Sequence, residues 1–144
     1  MASIALVRDV MSKNVKVVQP HSTVKEVVAT MNKFNIGSIV VVQDDRPVGI
    51  ITERDVLKRV LEPCLAPETL TARQVMTSPV LTISETASLD EAAELMTKKK
   101  VKKLLVISNQ KLVGIVTLTD IVTQVPTMLS ILKGLFRPYQ GPFS

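Results

Sequence analysis

The feature that most constrains this chain is that it repeats itself. Displaced by 65 residues, the sequence aligns with itself without a gap from about residue 8 to residue 60. Val10-Met11 falls on Val75-Met76, Val15 on Val80, Glu26 on Glu91 and Met31 on Met96. Val48-Gly49-Ile50 falls on Val113-Gly114-Ile115, Thr52 on Thr117 and Asp55 on Asp120. Most other positions keep polarity and size. One fold is made twice, and a unit of this length needs a neighbour to bury its apolar face.

Each copy carries the same local pattern. An extended piece (15–18, then 80–83) leads into a helix opened by a capping box, Thr23 with Glu26 and Ser88 with Glu91. Val24, Val27, Val28 and Met31 recur at helical spacing, as do Leu89, Ala92, Ala93 and Met96, so each helix buries one stripe. A β-branched run follows (39–42; 104–107). A polar turn (44–47; 109–111) reverses the chain into a second strand, 48–52 or 112–117. A last helix spans about 54–61 in copy one and 119–125 in copy two. The order is βαββα, twice: repeat one over 7–61, a Pro-containing linker over 62–71, repeat two over 72–125. Pro126 then suits the first turn of a further apolar helix bearing Met128, Leu129, Ile131, Leu132, Leu135 and Phe136, and Pro138 and Gly141-Pro142 end regular structure in this 126–144 tail. That helix covers the module's own apolar surface or docks a second subunit or a partner.

Composition narrows the function. With 46% apolar residues in 144, the chain buries a real core. No apolar run reaches the ~18 residues of a membrane span, and Met1–Met11 is too short for a secretory leader. One cysteine, Cys64, excludes an internal disulfide and a multi-cysteine zinc site and fits a reducing, cytoplasmic setting. The net charge of +5 favours anionic partners, but 3% aromatics make no stacking platform for single-stranded nucleic acid. His21 sits in a Pro-His-Ser turn, and neither a P-loop nor a nucleophile elbow is present. No catalytic constellation emerges, and no metal set.

Each copy closes on Gly-hydrophobic-x-Thr-x-x-Asp: Gly49-Ile50-Ile51-Thr52-Glu53-Arg54-Asp55 and Gly114-Ile115-Val116-Thr117-Leu118-Thr119-Asp120. Twice over, in a βαββα frame opened by Val-Met, this resembles a tandem pair of CBS domains, or Bateman module, across residues 7–125. The resemblance implies a mixed α+β fold, the two copies packed sheet to sheet about a pseudo-two-fold axis with two clefts between them. It implies regulatory ligands rather than an obligatory cofactor: AMP, ADP, ATP or S-adenosylmethionine, with magnesium accompanying a polyphosphate. It also implies a flat homodimer of four repeats and a regulated partner on a separate chain.

Thr three residues before Asp at a strand-to-helix junction is itself a capping box, so Thr52, Asp55, Thr117 and Asp120 serve either as caps or as ligand contacts, and the pattern alone leaves both open. In the second case the helix N-terminus and Thr hydroxyl meet a phosphate while the Asp accepts ribose hydroxyls. The resemblance places Ile50 and Ile115 against adenine, and the backbone of Val15-Lys16 and Val80-Leu81 at the base edge. Where relatives often carry a phosphate-binding basic pair, copy two has Lys102-Lys103 and copy one Gly37-Ser38, with Arg54 as its substitute. The cleft built on copy two is therefore expected to take the more charged nucleotide. Two other readings remain: a nucleic-acid binder using the Lys98–Lys103 run, and a dimerisation module with empty clefts.

Overall fold

A computed structural model describes residues 5–123. Copy one contributes helix α1 (Val7–Val10), strand β1 (Val17–Val18), helix α2 (Val24–Phe34), strands β2 (Ser38–Gln43) and β3 (Arg46–Thr52), and helix α3 (Glu53–Val56), which runs on into a π-helical turn, Leu57–Leu61. Copy two repeats the order with α4 (Ala72–Val75), β4 (Thr82–Ser84), α5 (Leu89–Lys99), β5 (Lys103–Ser108), β6 (Lys111–Thr117) and α6 (Leu118–Val122). The fold is mixed α+β, as the resemblance implied. The further apolar helix and tail expected over 126–144, and the end of the helix expected to reach Val125, lie outside the described residues.

Each copy forms a three-stranded sheet, β1-β2-β3 and β4-β5-β6, whose first pair is parallel and second antiparallel. The middle strand explains the unbroken β-branched run. Ile39, Val40, Val41 and Val42 are all buried, because β2 is covered on both faces. Ile39 and Val41 join Val24, Val27 and Met31 of α2 in the core of copy one. Val40 and Val42 instead meet Leu105 of β5, with Val15, Val80, Leu112 and Ile115 packed around them. The sheets therefore face each other and the helices lie outside.

Several local features are tighter than the sequence suggested. The hairpin turns hold only two residues outside the strands, Asp44-Asp45 and Asn109-Gln110, all at positive φ, as the twist of a two-residue hairpin demands. Pro47 sits in β3, an edge strand with a spare N–H side, opposite a bulge at Val41/Val42. The first strands are short and shifted, 17–18 and 82–84 rather than 15–18 and 80–83. Thr23 and Glu26 make both halves of their capping box, but at α5 only Ser88 accepts, from the Glu91 N–H.

The short opening helices are exchanged. Val7 of α1 lies in copy two's core, and its N–H bonds the Ala87 carbonyl at 2.8 Å. Ala72 and Val75 of α4 complete copy one's core, with the Ala72 N–H on the Ser22 carbonyl at 2.7 Å. The Arg59 guanidinium holds α4 there by donating to the carbonyls of Val75 (2.9 Å) and Met76 (2.8 Å). The repeat boundaries in sequence are thus not the boundaries of packing.

Candidate functional site in the cleft between the repeats

Sheet-to-sheet packing leaves a cleft where the C-terminal end of β3 meets the opening of copy two. It has a volume of about 540 Å³ and is lined by both copies. Copy one supplies Ser38, Ile50 and Thr52; copy two supplies Thr77, Pro79, Val80, Leu81 and Leu105 and the stretch Lys100–Lys103. Apolar side chains make most of the wall, Ser38, Thr52 and Thr77 are among its lining residues, and so are three lysines, with no acidic one. Of the fifteen residues singled out from the sequence, the cleft brings together Ser38, Ile50, Thr52, Val80, Leu81, Lys102 and Lys103.

The cleft draws its lining from both copies. Lys102 and Lys103 line it with Thr52 of copy one, while Lys103 also pairs with Thr117 in its own sheet. The reason is the exchange of opening segments: Ile50 and Thr77 bond reciprocally, N–H to carbonyl at 3.0 and 2.8 Å, which draws copy two's leading stretch across copy one's motif. Ser12 and Ile115 repeat the contact on the other side at 2.8 and 2.9 Å. Gly49 and Gly114 permit this close approach. A Cβ on Gly49 would run into the Met76 side chain, and one on Gly114 would lie 2.6 Å from Met11 Sδ and 2.8 Å from the Ser12 carbonyl oxygen.

Both motif carboxylates cap their own helices. Asp55 Oδ2 accepts from the Thr52 N–H (2.9 Å) and hydroxyl (3.1 Å), and the Asp55 N–H returns to Thr52 Oγ1 at 3.2 Å. Asp55 Oδ1 accepts from the Thr77 hydroxyl at 3.0 Å, across the repeat boundary. Asp55 is 9% exposed and stands behind Thr52 and Thr77 instead of in the cleft lining. In copy two, Asp120 Oδ2 accepts from the Thr117 N–H at 2.8 Å and the Asp120 N–H donates to Thr117 Oγ1 at 3.2 Å. Asp120 Oδ1 has no partner among the described residues. The helix starts themselves offer less to an anion than expected, since the first N–H groups are spent: Glu53 on the Gly37 carbonyl (3.1 Å) and Leu118 on the Lys102 carbonyl (2.8 Å).

The other sequence candidates lie elsewhere. Val15 lines a smaller hollow of about 180 Å³ with Lys13, Val17, Val42, Asp45, Leu112 and Val113. Lys16 places its ammonium over the Phe34 ring at 4.2 Å and donates to Asn14 Oδ1 at 3.1 Å. Its carbonyl already accepts from the Val40 N–H (3.4 Å), as Leu81's does from the Leu105 N–H (3.2 Å). Gly37 lines a separate groove of about 360 Å³ between α2 and α3, where a Cβ would lie 2.5 Å from Glu53 Oε1. Ile115 packs in the layer between the sheets, and Arg54 is exposed and lines none of these hollows. The sequence reading missed Thr77 and Lys100. Thr77 has a detectable signal, since it follows the Val-Met pair where copy one has Ser12.

The family model for the CBS domain matches the chain twice, over residues 7–62 and 72–126. The chain belongs to the CBS-domain family. As a tandem CBS pair it is 35% identical to an uncharacterised protein of Methanopyrus kandleri, over 93% of this chain and 69% of that one. It is 31% identical to hypoxic response protein 1 of Mycobacterium tuberculosis, over 91% of this CBS pair and 94% of the relative. A crystal structure of hypoxic response protein I with two coordinated zinc ions superposes with a TM-score of 0.73 at 32% identity, covering 83% of this chain and 98% of that one. A conserved protein of Pyrococcus horikoshii superposes at 0.71 with 31% identity, over 86% and 94%. Among the described residues of this CBS pair, no group of three or more His, Cys, Asp or Glu side chains is placed to hold a metal ion, and no helix is long and apolar enough to cross a membrane.

Proposed function

We propose that this CBS pair is a non-enzymatic, cytoplasmic regulatory module that binds an adenosine-containing ligand, AMP, ADP, ATP or S-adenosylmethionine, in the cleft between its repeats. The observation that carries the reading is the division of labour within one 540 Å³ hollow. Ile50, Val80, Leu81 and Leu105 offer apolar walls to a flat base, and Lys100, Lys102 and Lys103 offer cations to a phosphate chain. Few ligand classes join those two halves, and the volume lies within the usual range for small-molecule sites. The Thr77 hydroxyl spends its proton on Asp55, so it meets the cleft as an acceptor and suits a sugar hydroxyl that donates. Asp55 then acts as a positioning residue that fixes both threonines.

Because the cleft is lined by both copies, an occupant bridges them and favours one relative arrangement. A partner protein that distinguishes the arrangements feels the ligand through that difference in affinity. A homodimer of four repeats is the assembly that presents the cleft to it. Thermal-shift titration with the four ligands, backed by native mass spectrometry of the purified protein, tests the reading. A bound ligand at a hundred times its Kd adds about 2.7 kcal/mol. If none of the four moves the transition and no adenosine compound co-purifies, the clefts are structural and the protein is a scaffold.

A further inference from the structure

Two hollows beside the hairpin turns, lined by both copies and by neither motif threonine, correspond position by position across the 65-residue repeat. Val80, Thr82, Ile107 and Gln110 stand in one where Val15, Val17, Val42 and Asp45 stand in the other. Their sizes differ: about 560 Å³ against about 180 Å³. On the small side the Leu112 N–H donates to the Asp45 carbonyl at 2.9 Å and stitches the two hairpins together. On the large side the counterpart of Leu112 is Pro47, which has no N–H to offer the Gln110 carbonyl. That stitch cannot form, and the hollow stays open.

We infer that the open hollow is a binding site for a small amphiphilic carboxylate, an aliphatic chain ending in one acid group. Pro47, Val48, Pro79, Val80 and Ile107 give it an apolar lining, Ser78, Thr82 and Gln110 add polar groups, and Arg46 is its one charge. The closed hollow instead has both Lys13 and Asp45 among its lining residues. The guanidiniums of Arg59 and Arg73 are spent on protein oxygens, whereas that of Arg46 has no such partner among the described residues. A planar guanidinium takes a carboxylate through two parallel N–H donors. A single cation matches a single negative charge, and a phosphate monoester carries up to about two. The site does not rest on the nucleotide reading, although Pro79 and Val80 belong to both walls.

Arg46→Gln removes the charge from an exposed side chain, and Pro47→Leu restores the N–H that the other side uses. Isotope-labelled wild type, R46Q and P47L are titrated with octanoate, and with octyltrimethylammonium as the same chain bearing the opposite charge, and amide shifts are followed. In wild type, octanoate is expected to move the amides of Thr82, Ile107 and Gln110, none of which lines the nucleotide cleft, while octyltrimethylammonium leaves them in place. In R46Q the Kd for octanoate is expected to be about tenfold weaker, as for loss of one charge-assisted contact. In P47L the amide introduced at position 47 is expected to exchange with solvent as slowly as that of Leu112, and octanoate binding to weaken as the hollow closes.

Octanoate shifts confined to Ile50, Thr52 and Lys103 would put the acid in the nucleotide cleft and overturn the inference. An unchanged Kd in R46Q, an equal response to the two octyl probes, or no response to octanoate would do the same. A P47L protein that protects its introduced amide yet binds octanoate as wild type does would also overturn it, as would one whose introduced amide exchanges freely. If P47L does not fold, R46Q and the paired probes decide the matter alone.

Discussion

At the residue scale, the glycines of the repeated motif are there for what touches them. Gly114 has no positive φ to justify it, yet the Ser12 carbonyl stands 2.8 Å from where a Cβ would be. Gly114→Ala must push backbone against backbone and is expected to cost about 1–3 kcal/mol, read as a lower urea midpoint with an unchanged slope. Thr77 is the second decisive residue. Its hydroxyl is the donor to Asp55 Oδ1, on a side chain 9% exposed. Thr77→Val leaves that oxygen unpaired and is expected to cost about 1–2 kcal/mol. Ser12→Val, whose hydroxyl makes no bond to Asp120 among the described residues, is expected to cost less in the same denaturation series.

At the scale of elements, α2 and α5 share one plan with different ends. Both begin on a hydroxyl that accepts the N–H three residues on, but only in α2 does the carboxylate reach back. The Thr23 N–H, and after it the Thr23 hydroxyl, hold the Glu26 carboxyl below its ordinary value of 4.5. A group whose folded pKa is depressed contributes stability that is fully present above the unfolded pKa and lost as pH falls through the folded one. The stability advantage of wild type over Glu26→Gln is therefore expected above pH 4.5 and should shrink as melts are taken to lower pH. An advantage that persisted unchanged at pH 3 would mean that the charge of Glu26 is irrelevant to the helix start.

At the scale of the molecule, the exchanged helices interlock the two sequence repeats, and they are expected to unfold together. Val7 belongs to copy one by sequence and is fully buried in the core of copy two, beside Leu104 and Val116. Ala72 and Val75 return the exchange. Val7→Ala is expected to cost on the order of 2 kcal/mol. The loss should appear in both halves: hydrogen exchange of β2–β3 and of β5–β6 should quicken together, and the circular dichroism melt should stay a single transition. Faster exchange confined to β5–β6 would show that the copies unfold separately. An occupant of the cleft, under the proposed function, would lie between residues of both copies, Thr52 and Lys103 among them.

The sequence by itself determined the duplication, the βαββα order, the buried helix stripes and the family, because each is written in local periodicity and in residues that recur 65 positions apart. Capping by Thr52, Asp55, Thr117 and Asp120, a contact three residues long, was one of two readings the pattern left open, and the fold shows that contact made. Tertiary structure alone decided which copy each segment serves. Nothing in the spacing of Val7 or Thr77 says that the chain crosses over, for that choice depends on which apolar face has room for it. For the same reason the sequence could set Lys102 and Lys103 beside their own repeat's motif, where Lys103 does pair with Thr117, but could not show that the same cleft also takes Thr52 from copy one, and it hid Lys100 within a run of lysines that reads as a solvated helix end. A cleft belongs to two surfaces, and only packing brings them together.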